Sequence, residues 1–130
     1  MPTPKFVLSV LPEKLGICHF GKNAEIPIWA THNSGFFSLT KTSDELSIVC
    51  PQDQIPQNIR AERGWVAIKV KGPLGFVITG IVSSLSEPLA KVGISILYIS
   101  TYETDYVLIE EENLAKAKKV LGKFCDINPA

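Results

Sequence analysis

The chain has 130 residues, 45% of them hydrophobic, and its 13 Lys and Arg residues balance its 13 Asp and Glu residues. This balance and a pI near 6.7 exclude the basic surface that binding to a nucleic-acid backbone requires, so nucleic acid is not an expected partner. The length suits one ordinary domain or two very small ones.

The cysteines and the apolar runs bear on the compartment. Cys18, Cys50 and Cys125 are odd in number and widely spaced, which is typical of buried thiols in a reducing compartment rather than of a disulfide framework. The apolar run that begins at Phe6 stops at Pro12, too early for a signal-peptide core. No run approaches the ~20 residues of a membrane span. We therefore expect a cytoplasmic protein that does not associate with membranes.

The first half of the chain is rich in short strand patterns separated by turn residues. The predicted strands are 6–11, 15–20, 36–42 and 46–50, of which the last two form a hairpin. Residues 26–31 fit either a short helix or an irregular segment. Pro51 and Pro56 bracket a polar stretch, 52–60, which we interpret as a connection between two halves.

The second half begins with a predicted strand at 65–70 and a turn at 72–75. Apolar residues then recur at the helical period. They are Ile81, Val82, Leu85, Leu89 and Val92. Thr79 is a candidate N-cap and Gly93 a candidate C-cap, while Pro88 should remove one backbone hydrogen bond and bend the helix.

Two further strands and a last helix complete the pattern. The strands flank a polar turn in the stretch 93–109, and the helix begins at Glu110 with negative charge at the positive end of its dipole. The predicted order of the second half is strand, helix, strand, strand, helix. We therefore expect an α+β fold of two small units, 1–60 and 61–130, which share a core or pair their sheets.

The polar turn carries more functional groups than a hairpin needs. Four hydroxyls and a carboxylate, on Ser100, Thr101, Tyr102, Thr104 and Asp105, lie between two apolar runs. A minimal hairpin would use Asn-Gly or Asp-Gly at this position. The cluster either closes the turn or recognises a ligand.

The chain resembles the ACT domains of the CASTOR type. The likeness rests on the element order over 65–124, on the Gly-Ile-Ser-Ile sequence at 93–96, on the Ser-Thr-Tyr-Glu-Thr-Asp-Tyr string at 100–106 and on the hairpin at 36–42. The resemblance implies two tandem ferredoxin-like (βαββαβ) ACT units, with antiparallel sheets and helices on one face. It also implies a non-enzymatic, allosteric regulatory module without a cofactor.

The resemblance further implies a ligand, which would be a free amino acid or a similar small effector held between two ACT units, in a homodimer. A protein partner is not identified by it. Carried over by position, the ligand-binding residues lie at a helix start, on the following strand and in the polar turn. They are Thr79, Gly80, Ile81, Ser95, Ile96, Thr101, Tyr102, Thr104 and Asp105.

The chemistry of these residues suits an amino acid. The N–H groups at a helix start would hold the carboxylate, and Gly80 would let it approach the backbone closely. Strand-edge carbonyls near Ser95, or the side chain of Asp105, would accept from the ammonium. Asp105 is equally suited to a cationic ligand side chain, or to capping its own turn. Thr79 also fits a simple N-cap, Ser95 a tolerated small residue and Tyr102 a packing residue.

Other chemistries have little support in the sequence. His19 and His32 have no Cys or carboxylate at metal-ligand spacing, so no metal site is expected. Phosphate loops, nucleophile elbows and paired catalytic carboxylates are absent from the sequence, so an enzyme is the least favoured function. The alternative to a ligand-binding regulator is a structural or protein-interaction ACT module that has lost ligand binding.

Overall fold

The computed structural model describes residues 6–32, 35–71 and 80–129. The strands, in chain order, are β1 (Phe6–Val10), β2 (Leu15–Gly21), β3 (Ser38–Lys41), β4 (Glu45–Pro51), β5 (Ala61–Val70), β6 (Leu97–Ser100), β7 (Asp105–Glu110) and β8 (Cys125–Pro129). The α-helices are α1 (Ile28–Thr31), α2 (Ile81–Lys91) and α3 (Leu114–Leu121), and short 3₁₀ turns occupy Gln52–Gln54 and Glu111–Asn113. The predicted mixed α+β class is confirmed.

Two compact units make up the fold. Residues Glu13–Trp65 form one, here called the inserted unit. The described residues before Glu13 and those from Val66 onward form the other, here called the split unit. We expected strand β1 to belong to the N-terminal unit, 1–60. It belongs to the split unit instead, where it pairs with β5 and β8.

The inserted unit is a small antiparallel sheet with little helix. Its strand order is β3-β4-β2-β5, and β2 pairs antiparallel with both β4 and β5. Segment 26–31, left open between helix and irregular structure, contains the four-residue helix α1. The buried core alternates along β2 and β4, as the period of two requires. Its buried members are Cys18, Ala30, Leu46, Ile48, Cys50 and Ile55.

The split unit has a mixed sheet, which corrects the expectation of purely antiparallel sheets. Strand β1 lies between β5 and β8, antiparallel to β5 and parallel to β8, with Phe6 opposite Cys125. Strand β7 pairs with β5 and with β6. The parallel pair arises because β1 and β8 come from opposite ends of the sequence and are not joined by a hairpin, which would make them antiparallel.

Helices α2 and α3 contact each other and supply the core of the split unit. On α2 the buried side chains are Ile81, Leu85 and Leu89, as the helical period predicted, whereas Val82 is 49% exposed. Pro88 lies inside this helix, as expected. A 3₁₀ turn precedes α3, so the last helix begins at Leu114 rather than at Glu110.

Gly93 lies at the C-terminal cap of α2, as predicted, and directly follows the C-cap residue Val92. Its φ is 77°, in the left-handed region, its N–H donates to the Ala90 carbonyl at 3.0 Å, and the Ile94 N–H donates to the Leu89 carbonyl at 3.0 Å. This pair of bonds is the Schellman motif, which satisfies carbonyls that a helix end otherwise leaves unpaired. It also turns the chain so that Ile94 enters the core.

We expect Gly93→Ala to lower the free energy of unfolding by about 1–2 kcal/mol, because a residue with Cβ is strained in the left-handed region. An added Cβ at Gly93 meets nothing within 4 Å, so the cost is conformational rather than steric. Urea denaturation measures this change in the free energy of unfolding. Gly21→Ala is the matched control, because its Cβ also meets open space and its φ is not positive. Equal stability of the two variants would contradict the argument.

Candidate functional site

The polar turn at 101–104 joins β6 to β7 and is closed by Thr101. Ser100 lies opposite Asp105 in the ladder. The Thr101 N–H donates to the Thr104 carbonyl at 2.8 Å, and the Thr101 hydroxyl donates to the same carbonyl at 3.0 Å. That hydroxyl also accepts from the Thr104 N–H at 3.3 Å. A threonine side chain therefore closes this turn without the glycine that a minimal hairpin uses.

A turn of the same construction joins β3 to β4 in the inserted unit. The Thr42 N–H donates to the Glu45 carbonyl at 2.9 Å. The Thr42 hydroxyl accepts from the N–H groups of Asp44 and Glu45 at 3.0 and 3.1 Å. The two hairpins thus share one turn chemistry, Thr-x-acid-x, at the same place in the strand order of each unit.

Thr104 is buried, with 5% of its surface exposed, although it lies in a turn. Its hydroxyl donates to the carbonyl of Val70 at the end of β5. This bond ties the hairpin to the neighbouring strand. The buried Thr104 hydroxyl therefore stabilises the fold.

Replacing Thr104 by valine should cost about 1–3 kcal/mol of stability, because the new methyl leaves the buried Val70 carbonyl without its donor. Valine keeps the shape of threonine, so packing changes little. Chemical denaturation of Thr104→Val and Thr104→Ser separates the two contributions, since serine keeps the hydroxyl and loses the methyl. A serine variant less stable than the valine variant would show that packing dominates.

Asp105 has a side-chain partner on the adjacent strand. The Tyr98 hydroxyl donates to Asp105 Oδ2 at 2.6 Å, diagonally across the β6–β7 ladder. Burial, and then the hydrogen bond and negative charge of Asp105, raise the pKa of the Tyr98 phenol well above its usual range. Tyr98 was not among the residues expected from the sequence. The bond holds one carboxylate oxygen in place and leaves Oδ1 as the second acceptor.

The helix-start residues lie in two different environments. Gly80 is exposed and left-handed, with φ 78°, and is the N-cap of α2. Its carbonyl accepts from the Ser83 hydroxyl at 3.0 Å and from the Ser84 N–H at 2.9 Å. The Ile81 side chain is in the core at 5% exposure, so this residue presents only its backbone. Thr79 lies outside the described residues.

Ser95 and Ile96 precede β6, which begins at Leu97, so the expectation that they lie on the strand is wrong. The reason is Gly93, whose cap is followed by three residues without ladder pairing. Ser95 is exposed, and Ile96 packs partly buried against the core. Tyr102 is 81% exposed, so it is not the packing residue that its ring would also have suited.

Some of these residues share a core or a hydrogen bond. Ile81, Ile96 and Tyr98 all contact the core of the split unit, and Tyr98 binds Asp105. Thr101 and Thr104 bind each other and close the turn. Across 6–32, 35–71 and 80–129, His, Cys, Asp and Glu side chains form no group of three that could hold a metal ion.

Comparison with known proteins gives a family. A model described as ACT domain matches residues 60–123, and a model for an N-terminal domain matches residues 13–58. The "Cytosolic arginine sensor for mTORC1 subunit 1" of Bos taurus is 31% identical over 103 residues, which cover 71% of this chain. The chain belongs to the ACT-domain proteins of the CASTOR type.

The ACT-domain match contains every candidate site residue from Thr79 to Asp105. The aligned residues cover 31% of the Bos taurus sensor, so this ACT-domain chain spans about a third of the length of the curated relatives it matches.

Solved structures extend the comparison over the whole ACT-domain chain. Protein Atu0741 from Agobacterium tumefaciens is 38% identical, with a TM-score of 0.91, and the match covers 98% of this chain and 96% of that one. The aspartokinase alpha and beta subunits match with a TM-score of 0.67 at 16% identity, covering 92% of this chain and 97% of that one. The second likeness concerns the fold alone. In the described part of the chain, no helix is both long enough and apolar enough to cross a membrane.

Proposed function

We propose that this chain is a regulatory module of two tandem ferredoxin-like ACT units that binds a free amino acid or a similar small effector. The observation that carries the proposal is the match of its ACT domain to relatives named as cytosolic arginine sensors. The strand order β5-β2-β4-β3 of the inserted unit supports the ferredoxin-like arrangement. Of the expected division into units 1–60 and 61–130, the boundary near residue 60 is supported by family matches to 13–58 and 60–123, whereas the described residues before Glu13 belong to the split unit.

The start of α2 would bind the ligand carboxylate. The first N–H groups of a helix have no partner within it, and the dipole of the helix favours negative charge there. Gly80, without a side chain and exposed, leaves this end open to a ligand. The N–H groups of Ile81 and the residues after it would then converge on the carboxylate, as at other anion sites on helix starts.

The ligand ammonium would bind one of two acceptor walls, the Ser95–Ile96 backbone or Asp105, which lie at opposite ends of the β6–β7 hairpin. Ser95 lies outside the strand ladder, so its carbonyl is not committed to β-pairing. Tyr98 holds Asp105 Oδ2, which leaves Oδ1 to accept from the ammonium. We place the site at an interface between ACT units of two copies in a homodimer, because an open wall of this kind needs a second surface to exclude water.

A thermal-denaturation screen against the twenty amino acids tests this function. A ligand present at a hundred times its Kd should stabilise the protein by about 2.7 kcal/mol. Asp105→Asn should weaken binding roughly tenfold or more, because a charge-assisted hydrogen bond to the ammonium is lost. Asp44→Asn, in the corresponding turn of the inserted unit, is the matched control and should bind normally.

Two outcomes would count against the proposal. If no amino acid shifts the denaturation temperature at millimolar concentration, the chain is better explained as an interaction module without a ligand. If a ligand binds equally well to Asp105→Asn, the carboxylate does not contact it. Sedimentation with and without ligand shows whether two copies are needed.

A further inference from the structure

A cleft of about 440 Å³ lies on the inserted unit. Three segments line it, namely residues 17–19 of β2, Glu45 and Ser47 of β4, and Arg60 with the first two residues of β5. The volume falls within the range of small-molecule sites, about 300–1,000 Å³. All of its lining residues belong to one unit.

The ladder shows which side chains share the face of this cleft. Cys18 and Ala61 are paired and point to the core, so their neighbours on each strand point to the opposite face. His19 lies opposite Ser47 on one side, and its N–H donates to the Arg60 carbonyl on the other at 3.5 Å. Ser47, His19 and Arg60 therefore form one row across β4, β2 and the residue that precedes β5.

Two acidic residues flank this row. Ile17 lies opposite Glu62 on one side of the row, and Gly21 lies opposite Glu45 on the other. A Cβ added at Gly21 would meet nothing within 4 Å, so the cleft is open beside Glu45. The face thus carries one guanidinium and two carboxylates around a central imidazole, with Ile17 as an apolar neighbour.

These charged groups are not used by the fold, in contrast to others nearby. Arg63 donates to the Pro56 carbonyl at 2.9 Å, and Glu13 accepts from the Phe36 N–H at 3.1 Å. Within the described ranges, the side chains of Arg60, Glu45 and Glu62 form no hydrogen bond or ion pair. Charges of both signs are therefore available to an external molecule.

We propose that this cleft is a second small-molecule site, which binds a small zwitterion. The Arg60 guanidinium forms a bidentate pair with the anionic group of the ligand. Glu62 or Glu45 accepts from its ammonium, and Ser47 and His19 hydrogen-bond to the remaining polar atoms. The presence of both charge signs distinguishes such a site from one for a simple anion or a simple amine. The inference does not depend on the site proposed in the split unit.

Amide NMR spectra of the isotopically labelled chain test this second site. Each of the twenty amino acids is added in turn as a probe at millimolar concentration. Acetate and methylammonium, each carrying one of the two charges, are the comparison probes. We expect shifts at the amides of 17–19, 45–47 and 60–62 with at least one amino acid, and much weaker ones with either comparison probe. Shifts at 80–81 and 95–105 report on the other site, so failure of one proposal is distinguishable from failure of the other.

Variants that remove a charge test which side chains bind the ligand. Arg60→Gln and Glu62→Gln should each weaken binding in the cleft about tenfold or more. Lys22→Gln, at an exposed residue that does not line the cleft, is the control and should leave binding unchanged. The spectra themselves show that each variant is folded. Absence of shifts in the cleft with every amino acid, binding of acetate as tight as that of the amino acid, or unchanged binding to Arg60→Gln would each overturn the proposal.

Discussion

Leu85→Ala is expected to lower the free energy of unfolding by about 2–5 kcal/mol. Leu85 is fully buried on α2 and packs in the core of the split unit together with Leu89 and Ile109. Alanine removes three carbon atoms from this core and leaves a cavity, because surrounding side chains relax only in part. Such a loss is a large share of the free energy of unfolding of a typical domain, which is about 5–15 kcal/mol. Urea denaturation, monitored by circular dichroism, measures this loss of stability.

Val82→Ala on the same helix is the control for this experiment. Val82 lies one turn before Leu85 and is 49% exposed, so its truncation creates no enclosed cavity. The change should stay below about 1 kcal/mol, since surface substitutions have small effects. Comparable losses in the two variants would show that α2 does not bury the face described here.

The elements best predicted from sequence are those in which apolar residues recur at a regular spacing over many residues. Helix α2, eleven residues long, follows from the helical spacing of Ile81, Leu85 and Leu89, and its end follows from Gly93. Strand β5 was predicted only from Trp65 onward, although it begins at Ala61. Residues 61–64 are mostly polar and include Gly64 with φ 81°, so local pattern does not indicate a strand there. These residues form part of the strand because they pair with β2.

Strand β8 was not predicted from the pattern at all. Its sequence, Cys-Asp-Ile-Asn-Pro, has few β-formers and ends in proline. It forms because β1, more than a hundred residues earlier in the chain, supplies a parallel partner. Contacts this distant in sequence are decided by tertiary packing, which no window of neighbouring residues contains.

The candidate sites show the same division between local and distant information. The closing role of Thr101 is local, since its partner Thr104 is three residues away. The bond from the Tyr98 hydroxyl to Asp105 depends on the ladder across the hairpin, which makes the two residues diagonal neighbours. The cleft of the inserted unit is assembled from three separate segments, each ordinary by itself.

The stability of the protein should fall steeply in alkaline solution because of two buried thiols in the inserted unit. Burial raises the pKa of Cys50 from 9.0 to about 12, with further contributions from Cys18 and Asp53. Burial is also the largest cause of the raised pKa of Cys18. The folded state therefore keeps its protons where the unfolded state has lost them.

The direction of the effect follows from proton linkage. A thiol whose pKa is higher when folded contributes its full stability below the unfolded pKa, near 9, and loses it as pH rises toward the folded pKa. The free energy of unfolding should thus decrease between about pH 9 and about pH 12, by up to about 1.4 kcal/mol per pH unit for Cys50. The Tyr98 phenol, whose pKa is also raised, adds to the decrease above about pH 10.

Urea denaturation at several pH values between about 8 and about 11 measures the slope. Cys50→Ala removes the titrating group and should give a shallower decrease than the unmodified chain, even though it is less stable at neutral pH. Val49→Ala, a neighbouring buried truncation without a titratable group, should lower stability by a similar amount at every pH and keep the full slope. If the slopes of the two variants coincide, the Cys50 thiol loses its proton over the same pH range in the folded and the unfolded chain, and its burial has no bearing on alkaline unfolding.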